Sequence, residues 1–185
     1  MGTNTLVKEF VGRKDHKDYI TRGTAVENLL VEEGLRRGYT VTPSSEKQNM
    51  YDHIDLILTK GDKKFTVDVK ARRTGTDKSK GFDDLWTVVE FKNTMGDSGW
   101  LYSKSDYIAF ERKEDFVFAD TKQLRDMCES IVDVTKRVAS FKNANYKVWG
   151  RSYQGKKDLI SRIEMSKVVA LDKTFIWLKN LDNNE

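Results

Sequence analysis

The sequence predicts an α/β fold, a central mixed β-sheet flanked by helices, on three observations. A helical period of apolar residues runs through 18–37. Two alternating stretches, 53–59 and 64–72, are separated by a turn. Short apolar runs rich in β-branched residues recur around one further amphipathic helix.

The first helix gathers Ala25, Val26, Leu29, Leu30 and Leu35 on its apolar side and stops at Gly38. Residues 39–43 read as a short strand ended by Pro43, the only proline, and 44–52 (SSEKQNMYD) as a polar connector. In the next strand Ile54, Leu56 and Leu58 alternate with Asp55 and Ile57; in its successor Phe65, Val67 and Val69 alternate with Asp68 and Lys70. Lys60-Gly61-Asp62-Lys63 joins the two as an antiparallel hairpin. Residues 74–84 mix Gly and Ser with charges, show no periodicity and form a loop. Strands follow at 85–91, 107–110 and 115–119, with a GDSG turn at 96–99. Residues 121–132 form a helix capped by Thr121 or Asp120, with Leu124, Met127, Cys128 and Ile131 on one face. Beyond it 143–157 is basic and aromatic, 159–164 and 168–171 are short apolar pieces, 175–178 ends the packed chain, and 180–185 is a polar tail.

A chain of 185 residues with 38% hydrophobic content can bury one sizeable core, so a single domain over 1–185 is expected, without repeat or linker. The net charge of +4 fits a modest affinity for polyanions and does not establish it. The lone cysteine, Cys128, excludes an intramolecular disulfide framework and a multi-cysteine zinc site, which fits a reducing compartment, with the cytoplasm as default. His16 and His53 lack metal-ligand spacing. No stretch approaches the roughly 20 apolar residues of a membrane span, so no membrane partner is expected. Gly150 to Lys156 matches most of a phosphate-binding loop, but Lys157 stands where a Ser or Thr would meet magnesium, and the match is rejected.

Candidate chemistry comes from acids in apolar strands. The pattern Asp/Glu-x-Lys occurs at Asp15, Asp62, Asp68, Glu90, Glu111 and Asp120, so context must choose. Asp68 and Lys70 share one face of a strand, and the hairpin sets the strand of Asp55 beside them, so two carboxylates and an ammonium converge. Two carboxylates with a substrate phosphate suffice for magnesium, and a lysine there stabilises developing negative charge or orients water. Glu27 shares a helical stripe with Gly23, Leu30 and Gly34, whose small residues permit close approach to the sheet. Glu90 is a possible additional acid. Arg72, Arg73, Lys78 and Lys80 could grip a phosphate backbone, as could Arg151 and Lys156 in a stretch where Tyr146, Trp149 and Tyr153 interleave with cations. A solvated loop anchored by those aromatics explains the same stretch equally well.

Helix with Glu27, strand with Asp55, strand with Asp68-Val69-Lys70: this order resembles the PD-(D/E)xK nuclease superfamily over about residues 18–92, with Ile54 where the family often has proline. The stretch from Trp86 to Phe110 also looks similar to small phage and restriction-type nuclease-like proteins. The resemblance implies a restriction-endonuclease-like core. It implies metal ligation by Asp55, Asp68 and Val69, phosphate or water activation by Lys70, and support from Glu27. The expectation is a Mg2+-dependent deoxyribonuclease, Mn2+ substituting, with DNA as partner and a homodimer where two strands are cut. The alternatives are an inactive nuclease-like module that binds nucleic acid or protein, and a nonhydrolytic protein that inhibits or recruits a partner.

Overall fold

The computed structural model describes residues 19–76, 81–150, 152–153 and 156–180. Helix α1 (Tyr19–Arg36) leads into β1 (Thr40–Pro43), then α2 (Glu46–Asp52) leads into the hairpin of β2 (Leu56–Lys60) and β3 (Lys63–Lys70). The hairpin pairs antiparallel with Lys60 opposite Lys63, and Gly61 takes φ +55° in the tight turn between them. β1 pairs antiparallel outside β2. On its other side β3 runs parallel to β5 (Tyr107–Glu111), which is antiparallel to β6 (Asp115–Asp120), and β12 (Phe175–Leu178) is antiparallel to β6. The order β1-β2-β3-β5-β6-β12, with one parallel pair among antiparallel ones, is the mixed sheet that the sequence predicts.

Alternation along the strands divides the core into two layers. α1 covers one face of the sheet, packing Val26, Leu30 and Val31 against Leu56, Leu58, Val67, Val69, Phe116 and Phe118. Close approach needs Gly34, where a Cβ would lie 2.7 Å from Val41 Cγ2. The opposite face presents Ile108, Phe110, Val117 and Ala119 to Leu124 and Cys128 of α3 (Thr121–Ile131) and to Met165 and Val168 of α4 (Met165–Val169). A separate two-stranded sheet, β4 (Trp86–Lys92) with β11 (Leu159–Glu164), adds Val89, Phe91 and Ile163 to this layer. β6 is buried on both sides, which is why FVFA reads as an unbroken apolar run.

Several segments differ from expectation. The connector at 44–52 contains α2, whose Ser45 Oγ accepts from the Gln48 amide while Gln48 Oε1 accepts from the Ser45 amide, a capping box. α2 buries no residue, so it leaves no hydrophobic period to read. The strand expected at 85–91 forms but leaves the central sheet for β11. β7 (Asp133–Arg137), paired in parallel with β8 (Lys147–Val148), is exposed along its length and carries no alternation. Short strands β9 (Ser152–Tyr153) and β10 (Lys156–Lys157) pair with each other. Asp120 is the cap of α3, its Oδ1 accepting from the Gln123 amide at 2.9 Å. Asn180, where the polar tail was expected to begin, donates its amide to Glu33 Oε1 at 2.7 Å. No helix among the described residues is long and apolar enough to cross a membrane.

Candidate active site

The start of the β2–β3 hairpin brings Asp55, Asp68 and Lys70 together. Asp55 directly precedes β2 and is held by its backbone from both sides, its amide donating to the Val67 carbonyl and its carbonyl accepting from the Ser44 amide, each at 2.9 Å. Both carboxylate oxygens accept a hydrogen bond at 2.7 Å, Oδ2 from the Val69 amide and Oδ1 from Asn49 Nδ2. Asp68 projects from β3 on the side of Ile108, its partner in register, and only 2% of it is exposed. Its Oδ1 meets Lys70 Nζ at 2.6 Å, while its Oδ2 is buried with no hydrogen-bond partner among the described residues. Burial drives the Asp68 carboxyl well above the usual range and the neighbouring Asp55 carboxylate raises it further, against the opposing pull of Lys70.

Lys70 is fixed from a second direction. Its Nζ lies 4.9 Å from the centroid of the Trp100 ring, and that ring packs edge-on against Phe110, the residue opposite Lys70 in β5. The Trp100 amide donates to Glu90 Oε2 at 3.4 Å. A cleft of about 180 Å³ opens beside the ammonium, lined by Lys70, Arg72, Arg73, Thr87, Val88 and Trp100. His53 closes α2 in a left-handed conformation, φ 52°, instead of lying in the strand. Burial and the nearby Lys70 lower the pKa of its imidazole, with Asp55 and Asp52 opposing.

The other expected site residues come from the elements around the hairpin. Helical phase sets Glu27 among Val26, Leu30, Val31 and Gly34, on the side of α1 turned to the sheet. That side meets Val67 and Val69, whereas Asp68 and Lys70 leave β3 on the opposite face with Ile108 and Phe110. Glu90 belongs to the β4–β11 sheet. Among the described residues no three histidine, cysteine, aspartate or glutamate side chains form a metal-holding group. Arg72 makes a bidentate pair with Asp84 at 2.8 and 3.0 Å and stacks on Phe82, while Arg73 lines the cleft. Lys78, Lys80 and Arg151 lie outside the described residues, and Lys156 falls in β10. Tyr146 and Trp149 pack on Trp86 and Phe141, which favours the anchored-loop reading of their stretch.

Two residues of the site escaped sequence reasoning. Asn49 sits in α2, and the Ser45-x-x-Gln48 capping signature was the available sign that a helix, and hence a fixed side chain, precedes Asp55. Trp100 has no such signal, because its contact with Lys70 spans 30 positions of chain.

The donor set suits a hard divalent cation. The Asp55 and Asp68 carboxylates are near enough to interact, one Asp68 oxygen is buried without a partner among the described residues, and carboxylate oxygens retain lone pairs beyond the bonds they accept. A cation there would offset the burial that chiefly raises Asp68 and the repulsion from Asp55 that adds to it. No known family profile and no curated protein matches the chain. Among solved structures, a bacterial homing endonuclease, I-Ssp6803I, is similar with a TM-score of 0.46 and 14% identity, covering 60% of this chain and 74% of that one. A likeness so slight carries no argument, and the functional reading rests on the site.

Proposed function

We propose that this protein is a Mg2+-dependent DNA endonuclease of the PD-(D/E)xK type, with Asp55, Asp68 and Lys70 as its centre and Mn2+ able to replace Mg2+. The observation that carries the reading is Asp68 Oδ2, an acceptor buried without a partner beside a second carboxylate and a lysine. Folding tolerates such an atom where a ligand completes it. Asp55 and Asp68 would hold the ion, Val69 being the further ligand that the resemblance implies. When bound, magnesium supplies a Lewis acid and positive charge for the transferring phosphoryl group.

Water is the nucleophile. Its attack on phosphorus breaks one P–O bond of the backbone and develops negative charge on the phosphoryl oxygens. Lys70 Nζ, held between Asp68 and the Trp100 ring, would stabilise that charge or orient the water, without first having to be ordered. Arg73, on the wall of the same cleft, would contact a backbone phosphate. The reading does not require Glu27 or Glu90. A homodimer would supply one such centre to each strand of a duplex.

A panel of labelled linear, nicked, circular and branched DNAs, with Mg2+, with Mn2+ and with chelator, tests the proposal. Cleavage should need the cation and fall by roughly 10²–10³-fold in Lys70→Ala, with DNA binding retained. Absence of cleavage of every substrate with either cation, alongside salt-dependent DNA binding, would replace the enzyme by a binding module.

A further inference from the structure

We propose that Asn49 is a positioning residue for the metal centre, orienting the Asp55 carboxylate toward the cation. The inference rests on the proposed function and adds to it a residue outside the hairpin. Asn49 Nδ2 donates to Asp55 Oδ1 at 2.7 Å, and the Val69 amide donates to Oδ2 at the same distance. One donor on each oxygen sets the plane of the carboxylate, which a single hydrogen bond would leave free to turn. Each oxygen keeps lone-pair capacity for a cation.

The donor is also delivered by a fixed support. The capping box of Ser45 and Gln48 closes one end of α2. At the other end Lys104 Nζ meets Asp52 Oδ1 at 2.8 Å, the Lys104 amide donates to the Asp52 carbonyl at 2.9 Å, and Ser103 Oγ donates to the His53 carbonyl at 2.8 Å. None of these contacts involves Asp55, so the helix is held independently of the carboxylate that it serves. Its residue type matters as well. A lysine or arginine at position 49 would neutralise Asp55 and compete with the cation, whereas the neutral amide fixes the carboxylate and leaves its charge available.

The test is binding of Mn2+ alone, without DNA, read by electron paramagnetic resonance of the free and bound ion. Wild type is compared with Asn49→Ala, with Asn49→Leu, which keeps the size and favours the helix but has no donor, and with Gln48→Ala, which loosens α2 and leaves Asn49 in place. Both Asn49 variants should bind Mn2+ roughly 10–100-fold more weakly than wild type while remaining folded in chelator, and Gln48→Ala, which disturbs only the support, should lose less than either. Wild-type affinity in the Asn49 variants would overturn the role of Asn49, as would an equal loss in Gln48→Ala, since the helix and not the amide would then be responsible. Failure of wild type itself to bind Mn2+ would instead remove the metal centre, and the inference with it.

Discussion

Replacing Asp68 by asparagine should abolish function and stabilise the protein. Asp68 is 2% exposed, and its Oδ2 has no hydrogen-bond partner. A buried polar atom left unsatisfied costs about 1–3 kcal/mol. Asparagine keeps an acceptor for Lys70 and turns a donor toward the Asp55 carboxylate, so most of that amount is recovered. For a chain of this length each kcal/mol moves the melting temperature by about 2–4 °C, so above the folded pKa of Asp68 the Asp68→Asn variant should melt about 2–12 °C higher without divalent ions. The sign with pH follows from the raised carboxyl, whose first cause is burial and whose second carboxylate neighbour is Asp55. A raised pKa means that the folded chain holds the proton more tightly than the unfolded one. Wild-type stability therefore falls as pH climbs from the unfolded value of about 3.9 toward the folded pKa. The advantage of asparagine is absent in acid and complete above the folded pKa. Scanning calorimetry in chelator across that range measures it. A variant whose advantage over wild type does not grow as pH rises from acid through that range would refute the reasoning. Lys70→Met removes the cation paired with Asp68 and should shift melting the opposite way.

Glu33 is buried and accepts from Arg36, Arg37 and the Asn180 amide. Burial raises its carboxyl, but the Asn180 amide, Arg37 and Arg36 together outweigh that and hold it below its ordinary value. Glu33→Gln should cost about 1.5–3 kcal/mol at pH 7 by urea unfolding; the gap should close as pH falls through the depressed folded pKa, and a gap independent of pH would contradict it. Gly99→Ala would bring a Cβ to 2.6 Å from the Glu90 carbonyl carbon and 2.7 Å from its Cγ, so it should cost about 1–3 kcal/mol of stability by urea unfolding. The Cys128 thiol is pushed up to about 12, first by burial and then by Glu129. It should resist a disulfide reagent at pH 8 in the native protein and react fully once urea unfolds it; rapid native labelling would contradict its burial.

The hairpin was legible because alternation is local. Asp68 and Lys70 two residues apart share a face whatever else the chain does, and the Gly61-Asp62 turn makes the strand after Asp55 its neighbour. The partner of β4 was not legible, since β11 lies about 70 residues further on and nothing in WTVVEFK names it. Glu90 thereby left the central sheet. The phase of α1 sets Glu27 on the stripe of Leu30 and Gly34, but which face of the sheet a helix covers is a tertiary choice, and α1 covers the face away from Asp68. α2 escaped because a seven-residue helix that buries nothing has no apolar stripe. The cost was Asn49, the donor that completes the setting of Asp55.

The most direct test of the account is cleavage of labelled DNA by wild type and by Asp68→Asn, each with Mg2+ and with chelator, at protein concentrations where both are folded and both bind the substrate. The account expects cleavage by wild type with Mg2+ only, and none above background by Asp68→Asn. Cleavage by Asp68→Asn at the wild-type rate, or by wild type in chelator, would contradict it.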